Sequence, residues 1–278
     1  MFKKPKIILF ISFILLLYFL KKYKYSNIKV CLCVIGKKEN LYAKEFINHY
    51  KKLGYNHIFI YDNNDFNDEK FEDVIQNEIN HNFVSIINYR GYKGKEKHPQ
   101  FDAYKDCYEK NHKNYDWLSF FDFDEFLDLK HKDITIQDFL NHKRFKNCEN
   151  IKINWSFYKD NNSLFYINKP IQQRIKTLGN PNKHIKSTIR GNLLVNYWSK
   201  MNNPHSSLIK VYTCNSKGKK IKHDTPFNDP PDIKYAVLKH YQYKSLEEYC
   251  FKILRGSEGT PNNIYKQRML KLLFQINY

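Results

Sequence analysis

The sequence holds six cysteines, Cys31, Cys33, Cys107, Cys148, Cys214 and Cys250, and no two of them stand as C-x-x-C, which excludes a zinc ribbon. Acidic residues are scarce: 47 Lys and Arg face 28 Asp and Glu, a formal charge of +19. The positive residues are spread along the whole chain and form no concentrated arm, so they read as a solvated basic surface. The aromatics, 17% of the chain, fall at strand and helix periods and form no stacking stripe, which places nucleic-acid binding last among the functional classes. An acidic motif of the form GDxxxD is missing, and beyond residue 20 no apolar run is long enough to span a bilayer.

What is present begins with MFKKPKIILFISFILLLYFLKKYKY, in which Ile7–Leu20 carries no charge and is fenced by lysines on both sides. As a helix it would extend about 21 Å, short of the ~30 Å hydrocarbon layer unless the lysines snorkel. No small-x-small cleavage site follows, so the segment is expected to be an uncleaved signal anchor. The resulting expectation is an anchor and short stem over 1–27, a single catalytic domain over 28–278, and a single-pass type II protein with that domain in a secretory lumen.

From Ile28 strand and helix patterns alternate. IKVCLCVI is a compact apolar run suited to a buried parallel strand. ENLYAKEFINHYKKLG sets Tyr42, Phe46, Tyr50 and Leu53 at helical spacing and stops at Gly54. NHIFIYDNND, FEDVIQNEIN and FVSIINY follow as strand, helix and strand, and Pro99 opens the next helix. WLSFFDFDEF is then the fourth strand. The pattern predicts an α/β fold with a mostly parallel central sheet and helices on both faces. Near the end, Ser245 and Glu248 form an S-x-x-E capping box that starts a helix.

In such sheets ligands sit beyond the carboxyl ends of the strands. Asp122 and Asp124 fall at such an end, and a strand period of two would send both to one face. Asp62 ends another strand, and residues 37–39 end the first. Paired aspartates offer hard oxygens to Mn²⁺ or Mg²⁺, which with phosphate and water would complete an octahedron. An apolar strand running into D-x-D also resembles the haloacid-dehalogenase phosphotransferases, whose first Asp is a nucleophile. Phe126 departs from that family's pattern, and three strand-helix units precede the motif here. A catalytically dead, membrane-tethered glycan- or nucleotide-binding protein is a further alternative.

Seven blocks in the same order carry a broader resemblance: CLCVIGKKENLYAKEFINHYKKLGYNHIFIYDNND, PQFDAYKDCYEK, WLSFFDFDEF, NWSFYKDNNSL, HIKSTIR, NPHSS and LKHYQYKSLEEYCFKILRG. Over about residues 28–260 the chain resembles the family-92 glycosyltransferases and related family-2-like enzymes of the GT-A fold. The resemblance implies a hexosyltransferase using a nucleotide diphosphate sugar, UDP-linked, with a glycan or glycoprotein hydroxyl as acceptor and inversion at the anomeric carbon. It implies Asp122 and Asp124 as metal ligands joined by a late histidine, His240 or its rival His205. Lys37, Glu39, Asp62, Gln100, Lys186 and Arg190 would then hold nucleotide or substrate, and Lys252 and Arg255 would face the diphosphate. Asp160 is the expected base, ahead of Asp229 and Asp232. Lys38 stands where the family commonly has Asn, so that contact has no counterpart here, and Phe46 replaces a common Trp.

Overall fold

The structure, a computed structural model, describes residues 28–94, 98–130, 135–159, 163–193, 201–203, 205–207, 210–256, and positions 267 and 270. The anchor expected over residues 7–20 lies outside them. Among the described residues no helix is long and apolar enough to cross a membrane. The longest have 13 residues, about 20 Å of rise against a ~30 Å hydrocarbon layer. The expectation of a single-pass type II membrane protein is corrected accordingly.

The first half is three strand-helix units: β1 (Val30–Gly36), α1 (Asn40–Lys52), β2 (His57–Asp62), α2 (Glu72–Asn80), β3 (Val84–Asn88) and α3 (Pro99–Asn111). β1 is apolar on both faces because both are covered. Val30, Leu32 and Val34 join a core with Phe46, Ile47 and Tyr50 of α1, while Cys31 and Cys33 join a second core with Ala103, Tyr104, Cys107 and Tyr108 of α3. The second layer is pinned covalently by a Cys33–Cys107 disulfide.

The expected fourth strand-helix unit is replaced by something else. WLSFFDFDEF breaks into β4 (Trp117–Phe120) and β5 (Glu125–Leu129), and only then comes the short α4 (Ile136–Leu140). Two long strands follow, β6 (Asn150–Lys159) and β7 (Thr177–Arg190), separated by the single-turn α5 (Ile171–Arg174). Short β8 (Met201–Asn203) and β9 (Ser206–Ser207) pair with each other, β10 (Thr213–Cys214) pairs with β6, and β11 (Ala236–Tyr243) leads into α6 (Leu246–Arg255). The main sheet has nine strands, eight of them in the order β3-β2-β1-β4-β7-β6-β11-β5. Parallel pairing joins β3, β2, β1 and β4, and also β6 to β11 and to β10, whereas β7 and β5 run antiparallel to their neighbours. The α/β class and the mostly parallel sheet are as expected.

The sheet has to curl. In a flat sheet β4 and β5 would stand four spacings apart, about 19 Å, yet the link from Phe120 to Glu125 is a tight turn in which Glu125 N–H donates to Asp122 C=O at 3.0 Å. Curling carries β5 back to the end of β4, and Tyr241 N–H of β11 donates to Asp124 C=O at 2.8 Å, which joins β11 to the turn. A second disulfide, Cys148–Cys214, fastens the entry of β6 to β10.

Candidate active site

The D-x-D turn is held from below by its middle residue. Phe123 is buried, stacks on Phe71 at 5.3 Å between centroids and packs on Phe46 at 4.7 Å. Gly36 at the end of β1 makes room for it, since a Cβ there would lie 2.5 Å from the Phe123 ring and 2.7 Å from Phe71. The two aspartates flank this anchor. They sit in a turn and not within a strand, so their placement comes from the buried phenylalanine and not from strand periodicity.

Asp122 is closely surrounded. One carboxylate oxygen accepts from Gln100 Nε2 at 2.7 Å and from the Tyr104 hydroxyl at 3.0 Å, and the other accepts from Lys186 Nζ at 2.8 Å. Lys186, on β7, is completely buried, with Glu125 Oε2 a further 3.8 Å contact. Burial pushes the Asp122 carboxyl up, but the Lys186 ammonium outweighs it and leaves it below the usual range. Burial drives Glu125 well above its usual range, so Glu125 keeps its proton while Asp122 carries the charge. Lys186 itself is raised: burial lowers it, and the carboxylates of Asp122 and Glu125 more than compensate.

Asp124 has different partners. Its Oδ2 accepts from Lys252 Nζ of α6 at 2.8 Å, and its Oδ1 faces His240 Nε2 of β11 at 3.4 Å. Burial raises this carboxyl, yet Lys252 and His240 hold it well below the usual range. His240 Nδ1 is buried without a hydrogen-bond partner. The imidazole lies against Trp155 of β6, centroids 4.5 Å apart, and the same indole touches His205 at 5.9 Å and stacks on His184 at 5.1 Å. His205 has Nδ1 at 2.9 Å from Ile185 C=O. Burial, reinforced by Lys186, lowers its pKa to about 3, so it is neutral. Both rival histidines therefore converge on the turn, His240 on Asp124 and His205 on the Asp122 side.

A cleft of about 710 Å³ is lined by Lys38, Glu39, Tyr42, Lys244, Lys252 and Arg255 among others. Lys252 belongs to both cleft and turn. Arg255 donates to Lys37 C=O at 2.7 Å and is paired with Glu39, which is 6% exposed. Lys37 pairs with Asp65 at 2.9 Å.

Several expected site residues are placed elsewhere. Arg190 is at the far end of the sheet, opposite Trp117 at the start of β4, and its guanidinium donates to the carbonyls of Cys148 and Phe145 over the Trp117 ring. It is a structural clamp remote from the D-x-D turn, and its assignment to substrate is corrected. Asp62 is buried at the end of β2, with one oxygen on Arg90 at 2.7 Å and the other on Asn64, so it orders the loop that follows. Of the base candidates, Asp160 lies outside the described residues. Asp232 is buried against Ser216 and Lys217, whereas Asp229 is exposed and precedes a cis proline. Sequence reasoning missed Lys244, Trp155 and His184. The first stands one residue before the capping serine, and the other two fall within quoted blocks that gave no hint of their contacts.

Asp124 Oδ1 and His240 Nε2, two donors of suitable chemistry facing each other beside a cationic cleft, fit a divalent cation. Among the described residues no group of three or more His, Cys, Asp and Glu is arranged to hold a metal by itself. Such a pair suits an ion that takes its other ligands from phosphate and water.

Among known proteins, the family model described as glycosyltransferase family 92 matches residues 26–267. No curated protein matches the chain. A solved structure that resembles it is that of S. aureus TarS 1–349, at 10% identity and a TM-score of 0.35, with 59% of this chain and 47% of that chain covered. The match therefore spans about half the length of that structure.

Proposed function

The chain belongs to glycosyltransferase family 92, and from that premise we propose that it moves a hexose from a UDP-linked sugar to a hydroxyl of a glycan or glycoprotein, with inversion and with help from Mn²⁺ or Mg²⁺. The observation that carries this reading is that Asp124 is met by Lys252, a residue of the cleft wall, at 2.8 Å and by His240 at 3.4 Å. Acid, imidazole and ammonium at one spot suit a leaving diphosphate, where negative charge grows as the glycosidic bond to phosphate breaks.

In this reading Asp124 and His240 would hold the cation, which would supply neutralisation of charge on the diphosphate. Lys252, now on Asp124 Oδ2 at 2.8 Å, is within reach of the same phosphates. Asp122, locked by Lys186, Gln100 and Tyr104, gives the turn a fixed negative edge that orients the sugar. Trp155 with its three histidines forms a wall beside that edge on the acceptor side. A carboxylate takes the acceptor proton, and Asp160, next in sequence after β6, is the residue proposed for it. The dehalogenase reading, in which Asp122 is a nucleophile, sits poorly with a carboxylate whose two oxygens already take three donors.

The test is a screen of UDP- and GDP-sugars with the purified protein, Mn²⁺ and a panel of glycan acceptors, reading nucleoside diphosphate release. The reading predicts release with one UDP-sugar and its loss in Asp124→Ala. Full transfer by Asp124→Ala would sink it.

A further inference from the structure

Lys244 follows β11 and precedes the Ser245 cap of α6. Its side chain is 9% exposed, and that remainder opens on the cleft it lines. Beneath it the Tyr42 ring lies 3.3 Å from Nζ. Tyr42 cannot give way, because its hydroxyl donates to Glu248 at 2.6 Å and Glu248 is clamped in turn by Arg174 and by Ser245. The carboxylate that Lys244 pairs with, Glu39, stands 3.9 Å off, beyond hydrogen-bond distance. That Glu39 oxygen, Oε2, is itself buried without a hydrogen-bond partner.

A nearly buried ammonium carries three N–H donors and a strong demand for acceptors. Here it has an aromatic face and a carboxylate too distant to bond. Arg255 is spent differently: its guanidinium holds the Lys37 carbonyl and the other Glu39 oxygen, which fixes Glu39 in place. Of the cations in the cleft, Lys252 is bonded to Asp124, Arg255 to the loop after β1 and Lys38 is paired with Asp68 at 3.3 Å, so the unsatisfied positive charge is that of Lys244.

We propose that Lys244 is a phosphate-binding residue of this cleft, its ammonium held ready over Tyr42 and short of Glu39 to take an oxygen of a diphosphate. The inference rests on the sugar-nucleotide reading for its biological ligand, and its chemistry requires only a phosphate anion. Arg255 then acts on the donor indirectly, by keeping Glu39 at a distance from which it tethers Lys244 without neutralising it. The acceptors that the ammonium lacks are those that a phosphate oxygen brings.

The experiment titrates the full chain with inorganic pyrophosphate, UDP and uridine by calorimetry in the presence of Mn²⁺, comparing wild type with Lys244→Met, Lys244→Gln and Lys244→Arg. Loss of one charge-assisted bond predicts that K244M and K244Q bind pyrophosphate and UDP about tenfold or more weakly, that K244R recovers most of the loss, and that uridine affinity is unchanged. Pyrophosphate affinity equal to wild type in K244M or K244Q overturns the proposal. So does an equal loss for uridine and pyrophosphate, which would mean a collapsed cleft. If the wild type releases no nucleotide from any sugar donor yet binds pyrophosphate through Lys244, the transferase reading fails and this one stands.

Discussion

Lys252 on the last described helix donates to Asp124 at 2.8 Å across 128 residues of sequence. The bond ties α6 to the D-x-D turn and makes the helix part of the site. It also sets a competition. A divalent cation on Asp124 and the ammonium of Lys252 repel each other, so a cation bound there moves Lys252 toward whatever anion is near, and in this cleft that anion is the donor diphosphate. Cation and donor are therefore expected to bind cooperatively. Calorimetric titration of Mn²⁺ with and without UDP should show tighter Mn²⁺ binding when UDP is present. In Lys252→Met that coupling should shrink, while Mn²⁺ alone should bind at least as well as in wild type.

Removing a cation ligand should affect activity far more than folding. Asp124→Ala and His240→Ala are each expected to lower transfer by about 100-fold or more, since they remove stabilisation of the departing diphosphate. Asp122→Ala should also be poorly active, for a different reason: Lys186 loses its closest counter-charge. The three variants separate by metal titration, where D124A and H240A should need much more Mn²⁺ for half-maximal rate and D122A should not.

Lys186 is the structural keystone of the turn. It is fully buried, bonded to Asp122 and close to Glu125. Lys186→Met strips the charge from beneath a mostly buried carboxylate, and breaking such a pair typically costs about 3 kcal/mol or more. Urea unfolding should register that loss, and a K186M/D122N double variant, which removes both charges, should recover part of it.

Much of this site was legible before the fold, and the failures have a common cause. The strand-helix units of the first half are local, set by apolar periods, by Pro99 and by a glycine stop, and they form where the sequence places them. The Ser245–Glu248 capping box is local too, and both of its reciprocal bonds are made. Asp122 and Asp124 were legible as carboxylates at a strand end, whereas His240 and its rival His205 were named only through the family resemblance. Arg190 was misplaced because a strand has two ends, and only the antiparallel insertion of β7 beside β4 decides which end it reaches. Lys186, four residues earlier on that strand, arrives at the turn by the same insertion. The disulfides were unreadable for a related reason, since 74 and 66 residues separate their partners and only the assembled layers bring them together.

Those long loops give the disulfides weight. In the chain-entropy account, closing a loop of this size removes about 4 kcal/mol of unfolded-state freedom per bond. Cys148→Ser with Cys214→Ser leaves the D-x-D turn untouched but releases the entry of β6. Thermal unfolding of that variant should shift downward by several degrees or more, with the donor affinity of the folded fraction preserved. Because Cys33 and Cys107 join β1 to α3, whose Gln100 and Tyr104 hold Asp122, losing that bond should lower activity as well as stability.

Glu125 supplies a pH signature. It is fully buried, one oxygen has no hydrogen-bond partner, and burial lifts its carboxyl well above the usual range. The unfolded chain then loses this proton at about pH 4.3 while the folded chain keeps it. Above that pH the unfolded state binds fewer protons, so this group's contribution falls as pH rises, until the folded carboxyl also ionises. Glu125→Gln cannot ionise in either state. The stability difference between E125Q and wild type should therefore grow in favour of the variant from pH 4 upward, and pH-independent parallel curves would show that Glu125 is ionised in the folded protein.

Lys244 has the opposite chemistry and provides the kinetic counterpart. Burial lowers its pKa to about 8, with Glu39 and Asp124 resisting and Lys252 and Arg255 assisting the fall, while the Tyr42 ring packs against its Nζ. Free enzyme loses the ammonium as pH rises through that value, and kcat/KM reports groups of the free enzyme. The profile of kcat/KM for the donor should therefore decline above about pH 8. A phosphate oxygen on Nζ favours the charged form, so kcat at saturating donor should hold to higher pH. In Lys244→Arg the guanidinium stays charged throughout, and the alkaline limb of kcat/KM should move up accordingly. If that limb stayed at the same pH in K244R, the titrating group would be another one, with the cation arrangement of the bound donor resting on Lys252 alone.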